Sequence, residues 1–352
     1  MKDISRRRFG QMALASGMAA AGLPMLGSAA FAQDRAALIE GARKEGKLAV
    51  ATSAPGDGFP RFLETFRAKY PFIDVTTGFY TAPTGRVLSR VMAEVKSGNV
   101  NSDVMHIANS APYIDMARQG LLLQYRSPEY AAHQAGSHQD GYWGSARVIG
   151  VIMAYNKNKL PAEQAPKAWV DLLKPEFKGK KIAIQNAAAG TAFNQFYMLE
   201  KVLGVDFIKK LAAQEPVIMP TSGQVSDAMI RGEVLVGATV DHWRAFEESA
   251  VKAGITAVYP TEGMPIAVAP IGILKGAPNP NAAKLFMDYV LSQEGQTKLD
   301  TEIYGVYSMR ADVAPPPGQK ALADTKPLIP TDMADYEKAA AAFPQRFESW
   351  FK

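Results

Sequence analysis

Beyond residue 33 the chain alternates short apolar runs with amphipathic stretches. "DRAALIEGARKEG" places Leu38, Ile39 and Ala42 at helical spacing and stops at Gly46, and "KLAVATSA" follows as a short apolar strand. In "GFPRFLETFRAKYPFIDVTTGFY" the residues Phe62, Phe66 and Tyr70 share one helix face, Pro71 ends the helix, and "DVTTGFY" predicts a second strand. "TAPTGRVLSRVMAEVKSG" sets Val87, Val91 and Val95 in one helical stripe; "DVMHIAN" then reads as a strand and "SAPYIDMARQGLL" as a helix. Strands alternating with helices predict an α/β fold with a mainly parallel sheet.

The pattern changes at "GYWGSARVIGVIMAYNKNKLP", a long apolar strand with no helix close behind it. A second α/β set follows, from "PKAWVDLLKPEFKGKKIAIQN" through "PVIMPTSGQVSDAMIRGEVLVGATVDHWRAF". "EGMPIAVAPIGILKGAP" is another long strand, with an isolated Gly272, and the tail from Pro280 is mostly helical. The predicted arrangement is two lobes joined by the two long strands. Lobe one takes residues 34–148 and 265–352, tail included, and lobe two takes residues 149–264.

Residues 1–33 read differently. A basic start, a soft apolar middle and Ala30 and Ala32 ahead of a cut resemble a signal peptide. Ser5-Arg6-Arg7-Arg8-Phe9 resembles the twin-arginine consensus that addresses folded proteins to an exporter. Gly17, Gly22, Pro24 and Gly27 interrupt the run, which argues against a membrane anchor. The expectation is a periplasmic protein. The segment also carries four of the 39 basic residues and one of the 34 acidic ones, so the remainder holds 35 and 33, a net charge of +2. That near-neutral balance argues against nucleic acid as a partner. The absence of cysteine excludes disulfides, thiolate metal sites and a cysteine nucleophile.

Four pieces, "EFKGKKIAI", "AYNKNKLP", "TSGQVSDAMIRGEVLVGAT" and "ILKGAPNPNAAKLFMDYVLSQEGQTKL", resemble the extracellular solute-binding proteins of ATP-binding cassette (ABC) importers. The nearest branch is that of the ferric-iron and phosphonate binders, with the type II periplasmic-binding fold. The resemblance implies a monomeric receptor that closes on a ligand and docks on a membrane permease. Ferric binders of this branch carry adjacent tyrosines before an aromatic-x-Ala-Phe segment. Here "TVDHWRAF" puts Asp241 and His242 in that place. A carboxylate and an imidazole bind iron more weakly than two phenolates and with a different preference. The resemblance therefore implies a relative that has given up tyrosine-bound iron or binds metal differently.

In open α/β sheets the ligand lies beyond the carboxyl ends of the strands. Those positions hold Ser53, then Thr84 as a helix N-cap with Gly85 and Arg86, then Asn109 and Ser110 before Pro112, then Gly190 and Thr191, then Thr221 and Ser222. Each helix start offers free N–H groups and a positive dipole end. Any one of these turns is explained by plain helix capping; the set, in a chain of this resemblance, predicts a small-anion site. Arg86 and Arg147 add bidentate donors, with a surface pair beside the crossover as the alternative role for Arg147. Trp143, Tyr142, Trp243, Tyr304 and Tyr307 are aromatic candidates for the cleft. "HQAGSHQD", with His133, His138 and Asp140, reads as a solvated loop rather than a metal site. No cofactor is expected. No H-E-x-x-H, G-x-S-x-G or phosphate loop occurs, which weighs against the other class considered, an exported enzyme loaded with a cofactor.

Overall fold

The computed structural model describes residues 24–351 apart from 135, 140 and 187–190; the arginine cluster of the predicted export signal lies outside the described residues. The strands are β1 (Lys47–Thr52), β2 (Asp74–Thr81), β3 (Val104–His106), β4 (His138–Gln139), β5 (Trp143–Asn156), β6 (Ile182–Gln185), β7 (Val217–Met219), β8 (Val236–Asp241), β9 (Ile255–Val258), β10 (Met264–Ile273) and β11 (Pro327–Leu328). The α-helices are α1 (Pro24–Glu45), α2 (Gly58–Lys69), α3 (Thr84–Ser97), α4 (Ala111–Arg118), α5 (Thr191–Leu203), α6 (Val205–Ala212), α7 (Ser222–Ile230), α8 (Glu248–Lys252), α9 (Pro280–Leu291), α10 (Gln293–Gln296) and α11 (Met333–Trp350), with a π-helical segment at Thr297–Tyr304. None of the described helices is long and apolar enough to cross a membrane.

The hydrogen-bonded order is β2-β1-β3-β10-β5-β8-β6-β7. β1 runs parallel to β2 and β3, and β6 runs parallel to β7 and β8. Between these two parallel sets lie β10 and β5, antiparallel to each other and to their outer neighbours β3 and β8. β5 pairs with β10 as far as Gly150, and from Val151 onward with β8 and β9. All fourteen residues of β5 are buried, which explains why it reads as a continuous apolar run rather than an alternating one. The two-lobed α/β architecture expected from the sequence is the one observed. The isolated Gly272 has a local reason: a Cβ there would meet the Tyr142 carbonyl oxygen at 2.9 Å and the Tyr113 ring at 3.1 Å.

The tail divides. Its first helix, α9, sits against the first sheet. Phe286 meets Phe59, Phe62 and Phe66 of α2 at 5.0–6.5 Å between ring centroids. The last helix, α11, instead covers α5, in the part assigned to lobe two. Phe196 of α5 touches Phe343, Phe347 and Phe351 at 6.4, 5.3 and 5.7 Å, and Phe193 touches Tyr336 at 5.0 Å. α11 is also fastened to α4, where Arg118 pairs with Glu337 at 2.9 Å. α11 thus bridges α4, in the part assigned to lobe one, and α5, in the part assigned to lobe two. The physical reason is that α5 presents two phenylalanines outward from its sheet, and the aromatics of α11 are the rings spaced to cover them.

Candidate functional site

Asp241 closes β8 and faces two helix starts. Thr191, first residue of α5, donates its hydroxyl to Asp241 Oδ1 at 2.7 Å; Ser222, first residue of α7, donates to Asp241 Oδ2 at 2.6 Å. Both hydroxyl residues are buried, and Thr221 caps α7 by accepting from the Gln224 N–H at 3.2 Å. Negative charge is favoured where helix N-termini converge. Here the protein's own carboxylate takes that place. Gly190 lies outside the described residues.

Arg147 lies on β5 just before the strand changes partners. It is only 2% exposed, so the surface pair considered for it is not its role. Among the described residues no carboxylate comes within ion-pair distance of it. Its Nε–H points at His106 Nε2 at 3.5 Å, which assigns the imidazole proton to Nδ1, where the ring donates to Thr52 Oγ1 at 2.8 Å. Burial, and then the neighbouring guanidinium, hold the His106 pKa well below the ordinary histidine range, so the ring is neutral. The Tyr304 ring lies over the guanidinium at 4.6 Å, and the Tyr304 hydroxyl donates to the Pro55 carbonyl at 3.1 Å. Desolvation lowers the Arg147 pKa; Tyr304, Asp300 and Asp241 act against that shift. Among the described residues, His106 is the only hydrogen-bond acceptor found for the five guanidinium N–H donors.

The remaining candidates divide. Ser53 accepts from the Ala108 N–H at 3.2 Å and so ties the ends of β1 and β3 together near Thr52 and His106. Asn109 accepts from the Ala111 N–H at 3.0 Å and so has structural work at the start of α4, while buried Ser110 holds the N-cap position of that helix with no side-chain cap bond. Pro83, not Thr84, holds the N-cap position of α3, and no side chain caps that helix. Proline there has no hydroxyl to offer, and Thr84 is already helical. Gly85 and Arg86 are exposed in its first turn, and a Cβ on Gly85 would meet nothing within 4 Å. Trp143 is buried with its Nε1–H donating to Gln139 at 3.0 Å, while half-buried Trp243 stacks with the Arg244 guanidinium at 4.3 Å.

The other histidines are engaged by their surroundings through one ring nitrogen or a ring face, while His242 Nε2 and His133 Nδ1 are buried with no hydrogen-bond partner among the described residues. His242 is fully buried, its Nδ1 engages the Gly150 backbone at 3.0–3.2 Å, and its ring stacks on Tyr307 at 4.3 Å. Burial pushes its pKa down to about 3. His133 bonds the Leu291 carbonyl at 2.9 Å, and His138 stacks on Tyr130 at 4.5 Å. That corrects the solvated loop expected around them; Asp140 is outside the described residues. Among the described residues no group of three or more His, Asp or Glu is placed to hold a metal.

Sequence reasoning passed over Asp300, in the π-helical segment. It is fully buried, and neither carboxylate oxygen has a hydrogen-bond partner among the described residues. Burial raises its pKa well above the ordinary carboxylate value, with Arg147 opposing. Nothing in the helical pattern of the tail marks it, because it follows no strand.

Two solved structures share this architecture, and a third protein is similar in sequence. The chain resembles HitA of Pseudomonas aeruginosa, solved with iron bound, with a TM-score of 0.74 at 21% identity, covering 86% of this chain and 99% of that one. It resembles AfuA of Actinobacillus pleuropneumoniae, solved with fructose 6-phosphate, with a TM-score of 0.71 at 25% identity, covering 87% and 97%. It is 25% identical over 253 residues to a Salmonella typhimurium periplasmic protein named for 2-aminoethylphosphonate binding, covering 68% of this chain and 72% of that one. The two-lobed fold is thus of the type II periplasmic-binding kind. The family model for bacterial extracellular solute-binding proteins matches residues 62–331, well over half of the chain, and the chain belongs to that family.

Proposed function

We propose that this protein is the periplasmic receptor of an ABC importer and captures a small anionic solute, a phosphonate, phosphorylated compound or carboxylate, between its lobes. The observation that carries the reading is Arg147: a guanidinium buried where β5 passes between the lobes, with no carboxylate paired to it. A buried charge without a partner is costly, and an anionic solute supplies the partner. Asp241 adds a second preference. Its oxygens already accept from Thr191 and Ser222, yet a carboxylate has further lone pairs for a hydroxyl or ammonium donor on the same solute. Both an aminoalkyl phosphonate and a sugar phosphate combine such groups.

The receptor acts as a monomer, releases the solute chemically unchanged to its permease, and reaches the periplasm through the twin-arginine signal in residues 1–33. Thermal-shift measurements with 2-aminoethylphosphonate, fructose 6-phosphate, inorganic phosphate and small carboxylates test the reading. At least one anion raises the melting temperature; stabilisation by neutral or cationic compounds alone defeats it.

Capture of ferric iron is the competing reading, since HitA holds iron on the same fold. Asp241 and His242 in the place of the tyrosine pair count against it, as does the lack, among the described residues, of three or more His, Asp or Glu placed to hold a metal. Mixing the protein with chelated ferric iron should give no intense visible phenolate-to-iron band. Appearance of that band would restore the iron reading.

Arg86 is the second cationic contact proposed. It is exposed, with no side-chain partner among the described residues. A hydrogen bond to a charged group contributes about 1.5–3 kcal/mol. Arg86→Ala should therefore weaken the anion about tenfold to a hundredfold, with the ligand-free melting temperature unchanged. Wild-type affinity in this variant removes Arg86 from the site.

A further inference from the structure

Arg147 and Asp300 are both buried and carry opposite formal charges, yet they form no ion pair, and Asp300 accepts no hydrogen bond among the described residues. An ionised carboxylate deprived of water and of donors is among the most costly arrangements in a protein interior, whereas its protonated form carries no charge to solvate. Asp300 also sits in an eight-residue π-helical segment, a backbone form concentrated at functional sites, and Tyr304 of the same segment covers Arg147.

We propose that Asp300 is held as the neutral acid beside Arg147 and so sets the net charge of the cleft, leaving the guanidinium's positive charge uncancelled for an anionic solute. Asp300 is a positioning residue for charge; it does not itself touch the solute. The groups around it support this. Arg147 of β5 is the charged group acting on it, and the His106 ring of β3 beyond is neutral. Asp241 at the end of β8 acts on Arg147 from another side. Asp57 and Arg61, at the start of α2, act on Tyr304 with opposite signs. On the outer side of the π-helical segment Lys298 pairs with Glu302 at 2.7 Å. Burial raises the Asp300 pKa. By linkage, loss of the Asp300 proton weakens anion binding, and a bound anion tightens the proton's hold.

The first test uses ligand-free protein and needs no solute. A carboxyl whose folded-state pKa is raised contributes its full stability below the unfolded value, near pH 4, and loses it as the pH rises towards the folded-state value. Asp300→Asn keeps the shape of the neutral acid and does not titrate. It should melt higher than wild type at about pH 8 and no higher at about pH 4. Melting lower than wild type at about pH 8 would overturn the proposal, because it would mean an ionised carboxylate working for stability beside Arg147. If Asp300→Asn does not fold, infrared spectroscopy decides: wild type at about pH 8 should show the carbonyl stretch of a protonated carboxyl that shifts in Asp300→Glu. Absence of such a band overturns the proposal.

The second test rests on the anion reading and uses fructose 6-phosphate, 2-aminoethylphosphonate and inorganic phosphate as probes. For the one that binds, Asp300→Asn should match wild type at neutral pH. Its affinity should also hold where wild-type affinity falls, by up to about tenfold per pH unit above the Asp300 pKa. Tighter binding by the Asn variant at neutral pH would show that Asp300 is ionised and competing for Arg147. If none of the three binds, the anion reading fails, while the melting comparison still decides the state of Asp300.

Discussion

Arg147→Ala is expected to abolish tight anion capture while leaving the ligand-free protein as stable as wild type, or more so. Each charge-assisted hydrogen bond from the guanidinium contributes about 1.5–3 kcal/mol, and a paired contact makes two of them. The dissociation constant should therefore rise by about a hundredfold or more. Stability moves the other way for a separate reason. Arg147 is 2% exposed, and among the described residues it has no ion pair and one hydrogen bond, to His106, long at 3.5 Å. Removing an uncompensated buried charge relieves a cost. Calorimetric titration and thermal melting of the same two preparations check both halves. Binding equal to wild type places the anion elsewhere; a lower melting temperature means that the contacts to His106 and Tyr304 outweigh the desolvation.

Phe196→Ala should cost about 3–5 kcal/mol of folding stability, the usual range for deleting a buried phenylalanine ring. The ring is fully buried and is the hub against which Phe343, Phe347 and Phe351 of α11 pack. Its removal leaves a cavity between α5 and α11 that neither helix can collapse into, since α11 is also held by Arg118–Glu337 and Lys201–Asp335. The denaturation midpoint should fall without change in anion affinity measured well below the transition. Limited proteolysis should cut first within residues 333–351. A loss below about 1 kcal/mol would mean that α11 covers the core without being part of it.

Much of the frame was legible because it rests on local pattern. The apolar runs of β5 and β10 have the length and continuity of strands buried on both faces, and the Val87–Val91 stripe of α3 could face only its sheet. The serine and threonine at the starts of α5 and α7 were legible as polar strand ends, though their commitment to Asp241 depends on residues 19 and 50 positions away. Three features were not legible. Arg147 interrupts an apolar strand, and a charge in such a run gives no sign whether it turns to water or to the interior. Asp300 owes its isolation entirely to what packs around it. The landing place of α11 depends on contacts between residues about 150 apart, and periodicity reports only which face of a helix is apolar, not which partner receives it.

The position of α11 far beyond α5 in the sequence fixes the order in which that part of the protein can be completed. The rings that cover α5 belong to residues 336–351, which are made well after α5 itself. Until then Phe193 and Phe196, translated some 150 residues earlier, have no lid, and a nascent chain presents them as a sticky surface. Completion of that region thus has to wait until residues 336–351 have been made. A chain lacking its last helix leaves both phenylalanines bare, so a truncated product is an aggregation-prone substrate for quality control rather than a smaller receptor.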